Sequence, residues 1–211
     1  MTTEESILGS IARFVFRYGF SSLTMQNAAE YARVSKRTLY KQFPNKESLL
    51  NATFDFQISR VAVLLSSIAR DDSHPCLVKL STAFSMMADF IRHLSPVLMR
   101  DMLQNDSHYW DRVQRIRQER IYPLIVALLL QARTEGLIRP GIEPGLLTGM
   151  LFSAIEATAN PTSISRLPFE PQTVFENLFN ILFFGILADE GRQRIAQSGT
   201  IPYHDALEAL F

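Results

Sequence analysis

The sequence lacks the residues that several classes of protein require. Cys76 is the single cysteine among 211 residues, so neither an intrachain disulfide nor a finger-type zinc site can form. The four histidines do not occur in an H-x-x-x-H or H-E-x-x-H arrangement, and the sequence contains no glycine-rich phosphate loop. We therefore expect no metal, no cofactor and no catalytic residues, and we interpret the protein as a non-enzyme.

The sequence also has no long hydrophobic run. Its most apolar stretch, residues 181–188, is far shorter than the roughly 20 residues that a membrane-spanning helix needs. The acidic N-terminal segment MTTEESILGS lacks the apolar core of a signal peptide. We expect a cytoplasmic protein.

The net charge of +0 hides an uneven distribution of charge. Residues 1–50 contain seven Lys or Arg and four Asp or Glu, whereas residues 51–211 contain fourteen and seventeen. Hydrophobic residues make up 47% of the chain, which indicates a globular protein. A basic N-terminal part on an acidic body is typical of a protein that presents one face to DNA.

Helical periodicity runs through almost the whole sequence, because apolar residues recur at spacings of three and four, and it predicts an all-α fold. Pro123 lies inside the seventh predicted helix and should kink or split it. The polar tail, residues 189–211, ends in a small amphipathic segment; its role is open, and a further docked helix is the simplest interpretation. The nine predicted helices cover residues 4–18, 24–32, 35–43, 46–69, 76–94, 96–103, 108–135, 144–159 and 172–187.

Residues 24–46 begin with two short predicted helices joined by about three residues, which is the spacing of a helix-turn-helix. Thr24 and Ser35 stand where the N-caps of these helices belong. Asn27 replaces the Glu or Gln of a full capping box, so we expect only part of that motif. Asn45 can cap the next helix.

The second of these helices has two chemically different sides when it is drawn at about 100° per residue. Leu39 and Phe43 form an apolar back. The opposite side is basic and aromatic and consists of Lys36, Arg37, Tyr40 and Lys41. An ordinary solvated helix would show the same charges, so this pattern alone leaves DNA binding and simple exposure open.

The order and spacing of residues here resemble the N-terminal domain of the TetR family of bacterial transcriptional regulators. The resemblance is sharp over residues 7–54 and concerns layout beyond them. It implies a helix-turn-helix DNA-binding domain in residues 1–50 and a helical ligand-binding and dimerisation domain in residues 51–211. The matching residues are Phe20, Thr24, Ala28, Ala29, Val34, Ser35, Lys36, Thr38, Leu39, Tyr40, Phe43, Pro44, Lys46, Glu47, Leu49 and Leu50.

The resemblance also implies which residues bind DNA. Arg33 occupies a turn position that is usually Gly in the family, so either the turn differs or Arg33 adopts a positive φ and adds a phosphate-facing charge. Arg37 suits guanine O6 and N7 in the major groove, and a phosphate contact is the alternative. The expected DNA-binding residues are Thr24, Arg33, Ser35, Lys36, Arg37, Thr38, Tyr40, Lys41 and Lys46.

The last large predicted helix is apolar on almost every side, so one chain can hardly bury it together with the helix before it. TetR-family proteins dimerise through a four-helix bundle of their last two large helices, and the resemblance implies a homodimer here. The expected interface residues are Leu147, Leu151, Ile155, Phe175, Leu178, Phe179, Leu182 and Phe183.

Four of the seven methionines lie close in sequence to Phe84 and Phe90, in the region where TetR-like proteins hold ligands. Methionine adapts to varied apolar ligands, although an ordinary core accounts for the same residues. A lipophilic, aromatic or cationic small molecule would suit such a pocket. Its expected lining is Phe84, Met87, Phe90, Met99, Met102, Tyr109, Trp110, Arg112, Phe152 and Glu156.

These observations predict a homodimeric, sequence-specific regulator, most readily a repressor, on a pseudo-palindromic operator of double-stranded DNA. A small-molecule effector would act through the long helix 46–69, which begins beside the DNA-reading helix. Two alternatives stay open. One is a ligand-independent DNA-organising protein of the same fold, and the other is a helical small-molecule-binding protein that does not bind DNA.

Overall fold

The chain folds into α-helices, which confirms the predicted all-α class. A computed structural model describes residues 3–93, 95–104, 107–159 and 171–197. None of the helices within these residues is long and apolar enough to cross a membrane. The described residues form eleven helices: α1 (Thr3–Tyr18), α2 (Met25–Tyr31), α3 (Lys36–Gln42), α4 (Lys46–Ala69), α5 (Cys76–Arg92), α6 (Pro96–Gln104), α7 (Ser107–Arg120), α8 (Tyr122–Thr134), α9 (Pro144–Ala159), α10 (Pro171–Ile186) and α11 (Asp189–Gln197).

The helix predicted over residues 108–135 is in fact two helices, α7 and α8, which meet at Ile121. Pro123 lies at the start of α8, where its missing N–H removes no helical hydrogen bond. The proline therefore splits the helix, which was one of its two expected effects. In the polar tail, α11 packs against α5, while the amphipathic end at residues 206–211 lies outside the described residues.

The helices form two compact units. The first contains α1 to α3, α4 as far as Val61, and α6 with α7 as far as Arg117. The second contains α4 from Ala62 onward, α5, the end of α7 and the helices from α8 to α11. The division into a DNA-binding domain, 1–50, and a ligand-binding domain, 51–211, concerns function and stays a prediction.

An apolar core holds the first unit together. Leu39 of α3 is completely buried in it, a burial that contributes about 1.5–3 kcal/mol to stability. The ring of Phe20 lies 6.2 Å from that of Phe54 in α4 and 5.2 Å from that of Tyr109 in α7, measured between centroids. The same core therefore packs both the helix-turn-helix and α7.

In the second unit, α5 and α9 each pack against α8 and α10. The rings of Phe84 in α5 and Phe183 in α10 have centroids 5.0 Å apart. Lys79 is buried, and its Nζ donates a hydrogen bond of 3.3 Å to the carbonyl of Ala69 at the end of α4. Burial raises the pKa of the Cys76 thiol to about 11, so this cysteine is a protonated, packed residue at neutral pH.

Two glycines with positive φ differ in what surrounds them. Gly19, which follows α1, has φ +74, and a Cβ there would lie 2.9 Å from Cγ1 of Val97 and closer still to the Asp101 carboxylate. Gly141 has φ +86, and no heavy atom of the described residues lies within 4 Å of a Cβ built there. A side chain at either position strains the backbone, but only at Gly19 does it also clash.

We expect Gly19→Ala to lower the free energy of unfolding by about 3 kcal/mol and Gly141→Ala by about 1 kcal/mol. The difference comes from the clash with Val97 and Asp101, because the backbone strain is common to both variants. Chemical denaturation of the two variants beside the wild type measures it. Equal losses of stability would contradict the steric contribution at Gly19.

Candidate nucleic-acid interface

A reciprocal capping box begins α2. The hydroxyl oxygen of Thr24 accepts a hydrogen bond of 3.1 Å from the Asn27 N–H, and Oδ1 of Asn27 accepts one of 2.8 Å from the Thr24 N–H. The sequence predicted only a partial box, and the structure corrects this, because the Asn amide reaches back as Glu or Gln would. The start of α2 is therefore fixed, with Thr24 exposed.

The turn between α2 and α3 is a Schellman motif. The N–H of Val34 donates to the carbonyl of Ala29 at 3.0 Å, and the N–H of Arg33 donates to the carbonyl of Glu30 at 3.1 Å. Arg33 has φ +56, so the structure shows the alternative in which this non-glycine residue adopts the left-handed conformation. The steric cost is roughly 1–2 kcal/mol. Its side chain is exposed, and its contact with a phosphate stays a prediction.

Helix α3 has a buried back and an exposed front, as predicted. Leu39 and the C-cap residue Phe43 are buried, and they pack in the same core as Ala28 and Ala29 of α2. The small alanine side chains allow the two helices to approach closely. The exposed front consists of Lys36, Arg37, Tyr40 and Lys41. The packing of Leu39 and Phe43 on α2 thus sets the direction in which this front faces.

Hydrogen bonds order several of the polar side chains around α3. Oγ of Ser35 accepts from the Thr38 N–H at 3.0 Å, which confirms Ser35 as the N-cap. Nζ of Lys36 donates to Oε1 of Gln26 at 3.2 Å, and Nε2 of Gln26 donates to Glu30 at 3.2 Å. Gln26 is not among the residues expected from the sequence, because only the packing of α2 on α3 brings it beside Lys36.

The first turn of α4 adds a further cation. Asn45 caps this helix as predicted, since its Oδ1 accepts from the Ser48 N–H at 2.8 Å. Lys46 is half-buried, and its Nζ donates to the carbonyl of Ser21 at 3.3 Å. Burial lowers the pKa of Lys46 from its usual value, and the negative charge of Asp101 partly opposes this shift. The positive end of the helix dipole also favours an anionic group at this turn.

Helix α6 contributes a carboxylate near the same loop. Asp101 is buried, and its Oδ2 accepts a hydrogen bond of 2.7 Å from the N–H of Ser21. The two residues are 80 positions apart in the chain, so no local sequence signal indicates this contact. A loop of the helix-turn-helix region is therefore held by a helix from much later in the sequence.

The exposed surface suits the recognition of duplex DNA. A short helix with basic and aromatic side chains on its front can enter the major groove, where Arg and Lys bind guanine edges. Cations around such a helix bind phosphates and fix its position on the duplex. The cations of this surface are Arg33, Lys36, Arg37, Lys41 and Lys46.

The residues expected to line a ligand pocket are divided between the two units. Met102 and Tyr109 belong to the core of the first unit. Arg112 lies in the same unit and forms an ion pair with Asp55, in which Nε donates to the carboxylate at 2.8 Å. Phe84 and Phe152 are buried in the second unit, and ligand binding by any of these residues stays a prediction. The expected residues whose side chains lie outside the described part are Met87, Phe90, Met99, Trp110 and Glu156.

The residues expected at a dimer interface lie on α9 and α10. Leu147, Leu151 and Phe183 are buried within their own chain, and Leu178 and Leu182 are half-buried. Their part in a dimer stays a prediction. The side chains of three further expected residues lie outside the described part: Ile155, Phe175 and Phe179. Among the described side chains of these two helices, the large apolar ones that are exposed are Leu146, Met150, Ile181 and Phe184.

Two relatives are similar to almost the whole chain. YvaF of Bacillus subtilis (strain 168), an uncharacterized HTH-type transcriptional regulator, is 26% identical over 187 residues, which cover 89% of this chain and 97% of YvaF. The nucleoid occlusion factor SlmA of Vibrio vulnificus (strain YJ016) is 24% identical over 185 residues, which cover 84% of this chain and 92% of SlmA.

The fold and the N-terminal residues are also similar to those of known regulators. The regulator FadR from Bacillus subtilis, in complex with stearoyl-CoA, has the same fold with a TM-score of 0.61 at 17% identity, over 86% of this chain and 98% of FadR. Residues 7–53, from α1 to the first turns of α4, match the family model of bacterial regulatory proteins of the tetR family. This match confirms the resemblance to the TetR family of bacterial regulators that the sequence indicated.

Proposed function

We propose that the protein is a sequence-specific DNA-binding repressor, active as a homodimer in the cytoplasm and released from its operator by a small apolar or aromatic ligand. The exposed basic and aromatic front of α3, on a fully buried back, is the observation that carries this proposal. The match of residues 7–53 to a family of bacterial regulatory proteins supports it. The proposal includes no catalytic activity.

In this proposal α3 enters the major groove. Arg37 reads a guanine, because its exposed guanidinium can donate to O6 and N7 together. Two copies of α3 read half-sites about 34–36 Å apart on a pseudo-palindromic operator. The remaining expected residues position the helix by contacts to phosphates or base edges: Thr24, Arg33, Ser35, Lys36, Thr38, Tyr40, Lys41 and Lys46.

The homodimer is supported by the apolar residues that α9 and α10 expose. On α10, Ile181 is 70% exposed and Phe184 is 47% exposed. On α9, which packs against α10, Leu146 and Met150 are exposed one turn apart. Large exposed apolar residues on two adjoining helices mark a protein contact, and a second copy of the same two helices would cover them in a four-helix bundle.

Release by a ligand is supported by the fold. FadR, which shares it, is described in complex with stearoyl-CoA, a molecule with a long apolar chain. Phe84 and Phe152 supply buried aromatic surface in the second unit of this protein. A ligand changes operator binding only through unequal affinity for two states of the dimer, which here would differ in the spacing of the two α3 helices.

A second candidate function follows from the similarity to SlmA, which is a nucleoid occlusion factor. A protein of that kind would bind DNA at many dispersed sites and would need no small ligand. A genome-wide binding map separates the two candidates. One or a few operators near regulated genes support the repressor, whereas many sites without nearby regulated genes support the DNA-organising protein.

We expect Arg37→Ala and Tyr40→Ala each to weaken specific binding by at least about thirtyfold, because each removes a group from the front of α3. Fluorescence anisotropy with DNA from upstream of the protein's own gene, over a series of salt concentrations, measures the dissociation constant. Circular dichroism should show unchanged helicity, since neither residue belongs to the core.

Arg17→Ala and Tyr31→Ala are the matched controls. Both residues are exposed in the same unit but lie on α1 and α2, outside the front of α3. We expect them to keep the dissociation constant within about threefold of the wild type. Wild-type binding by Arg37→Ala and Tyr40→Ala, or an equal loss in the controls, would contradict the role of α3.

Arg33→Gly separates backbone strain from charge. We expect the free energy of unfolding to stay equal or to rise by up to about 1 kcal/mol, because Gly adopts the observed φ without steric cost. We expect DNA affinity to fall by about fivefold, because a cation beside the duplex is lost. Arg33→Lys, which keeps both charge and strain, is the control. Unchanged affinity in the Gly variant would show that Arg33 contacts no phosphate.

Ile181→Glu and Val63→Glu form a matched pair for the dimer, since both aliphatic side chains are 70% exposed in the single chain. We expect Ile181→Glu to raise the dimer dissociation constant by at least about a hundredfold, because it places a charge in the apolar interface. Val63→Glu on α4 should leave it unchanged. Sedimentation velocity over a concentration series measures both, and a fully dimeric Ile181→Glu variant would exclude α10 from the interface.

A further inference from the structure

Lys46 and Asp101 meet at one residue of the loop between α1 and α2. The N–H of Ser21 donates to Oδ2 of Asp101 at 2.7 Å, and the carbonyl of Ser21 accepts from Nζ of Lys46 at 3.3 Å. All three residues belong to the first unit. One loop residue therefore joins a carboxylate of α6 to the cation that begins α4.

The surroundings of Asp101 hold its carboxylate close to this loop. Only 5% of Asp101 is exposed, so its negative charge depends on a hydrogen-bond donor and a nearby cation for stabilisation. Gly19 allows α6 to approach, since a Cβ there would clash with Asp101 and Val97. The charge of Asp101 also opposes the lowering of the Lys46 pKa by burial, as expected for a carboxylate near the ammonium group.

We propose that the Asp101 carboxylate and a DNA phosphate compete for the ammonium group of Lys46, so that α6 limits the strength of DNA binding. This inference rests on the proposed DNA-binding function and adds to it a residue that lies outside the helix-turn-helix. Asp101 acts through Lys46 and touches no DNA. It is therefore a residue that tunes affinity.

The competition follows from elementary electrostatics. A phosphate that approaches Lys46 meets a cation whose charge is already partly compensated, and it is also repelled by the nearby carboxylate. A phosphate contact of Lys46 therefore contributes less to affinity than a contact of an uncompensated lysine, and it releases fewer counterions from the DNA. Lys41 provides the comparison, because it is exposed on α3, whereas Lys46 is half-buried, hydrogen-bonded to Ser21 and under the negative charge of Asp101.

The first test compares two lysines in the otherwise unchanged protein. We expect Lys46→Gln to weaken operator binding only about twofold and Lys41→Gln about tenfold, with the smaller change in salt dependence for Lys46→Gln. Anisotropy titrations over the same salt series measure both quantities. A loss in Lys46→Gln as large as that in Lys41→Gln would overturn the proposal, and this comparison needs no change at the buried Asp101.

The second test removes the negative charge and keeps a hydrogen-bond acceptor for Ser21. We expect Asp101→Asn to tighten binding about threefold to tenfold at low salt, because the charge of Lys46 is then no longer partly compensated by a carboxylate. In the Lys46→Gln background the same substitution should change the affinity by less than about 1.5-fold. Glu47→Gln removes an exposed negative charge next to Lys46 and is the control for a general effect of charge. It should change the DNA affinity equally in the wild-type and the Lys46→Gln backgrounds.

The outcomes separate this inference from the function on which it rests. Unchanged or weaker binding by a folded Asp101→Asn variant overturns the competition, and so does an equal gain in the Lys46→Gln background. If the wild-type protein itself shows no salt-dependent DNA binding, both the proposed function and the competition are overturned. Unfolding curves of each variant show whether it is folded. If Asp101→Asn does not fold, the comparison of Lys46→Gln with Lys41→Gln decides whether the proposed competition holds.

Discussion

The burial of Leu39 and Phe43 is the contact on which the DNA-binding surface depends. A helix of seven residues is too short to be stable alone, so α3 exists only because its back is packed and its start is capped. Together the two buried side chains contribute about 3–6 kcal/mol, which exceeds the roughly 1–2 kcal/mol of strain at Arg33 in the adjoining turn. The core can therefore hold that turn in a left-handed conformation and keep the basic front exposed.

The core behind α3 includes residues from much later in the chain. Tyr109 packs on Phe20 and Phe54, Arg112 pairs with Asp55, and α6 packs against α1. Residues 93–117 are therefore part of the unit that carries the helix-turn-helix. A ligand-dependent change in α6 or α7 would act on the same packed contacts that orient α3. In the proposed function, regulation needs no separate element to reach α3, because α6 already touches the loop before α2.

The apolar surface of α9 and α10 shows what hydrophobic periodicity can predict about a helix and what it cannot. The sequence indicates that these helices carry more apolar residues than one chain buries, and exposed residues such as Ile181 are consistent with that. Periodicity does not show which of two adjacent apolar residues faces the chain's own core. Phe183 is buried against Phe84 while Phe184 is exposed, because the rotation of α10 is set by its packing on α5 and α9.

The sequence by itself determined the elements whose causes are local. The bounds of α4 and α9, the caps at Ser35 and Asn45, and the two sides of α3 all depend on residues within about four positions of one another, where helix geometry is regular. Only the tertiary structure decided that Gln26 meets Lys36 and that Asp101 holds the loop before α2. Such contacts depend on which helices pack together and at what rotation, and that is settled by the burial of the whole apolar core and not by any local pattern of residues.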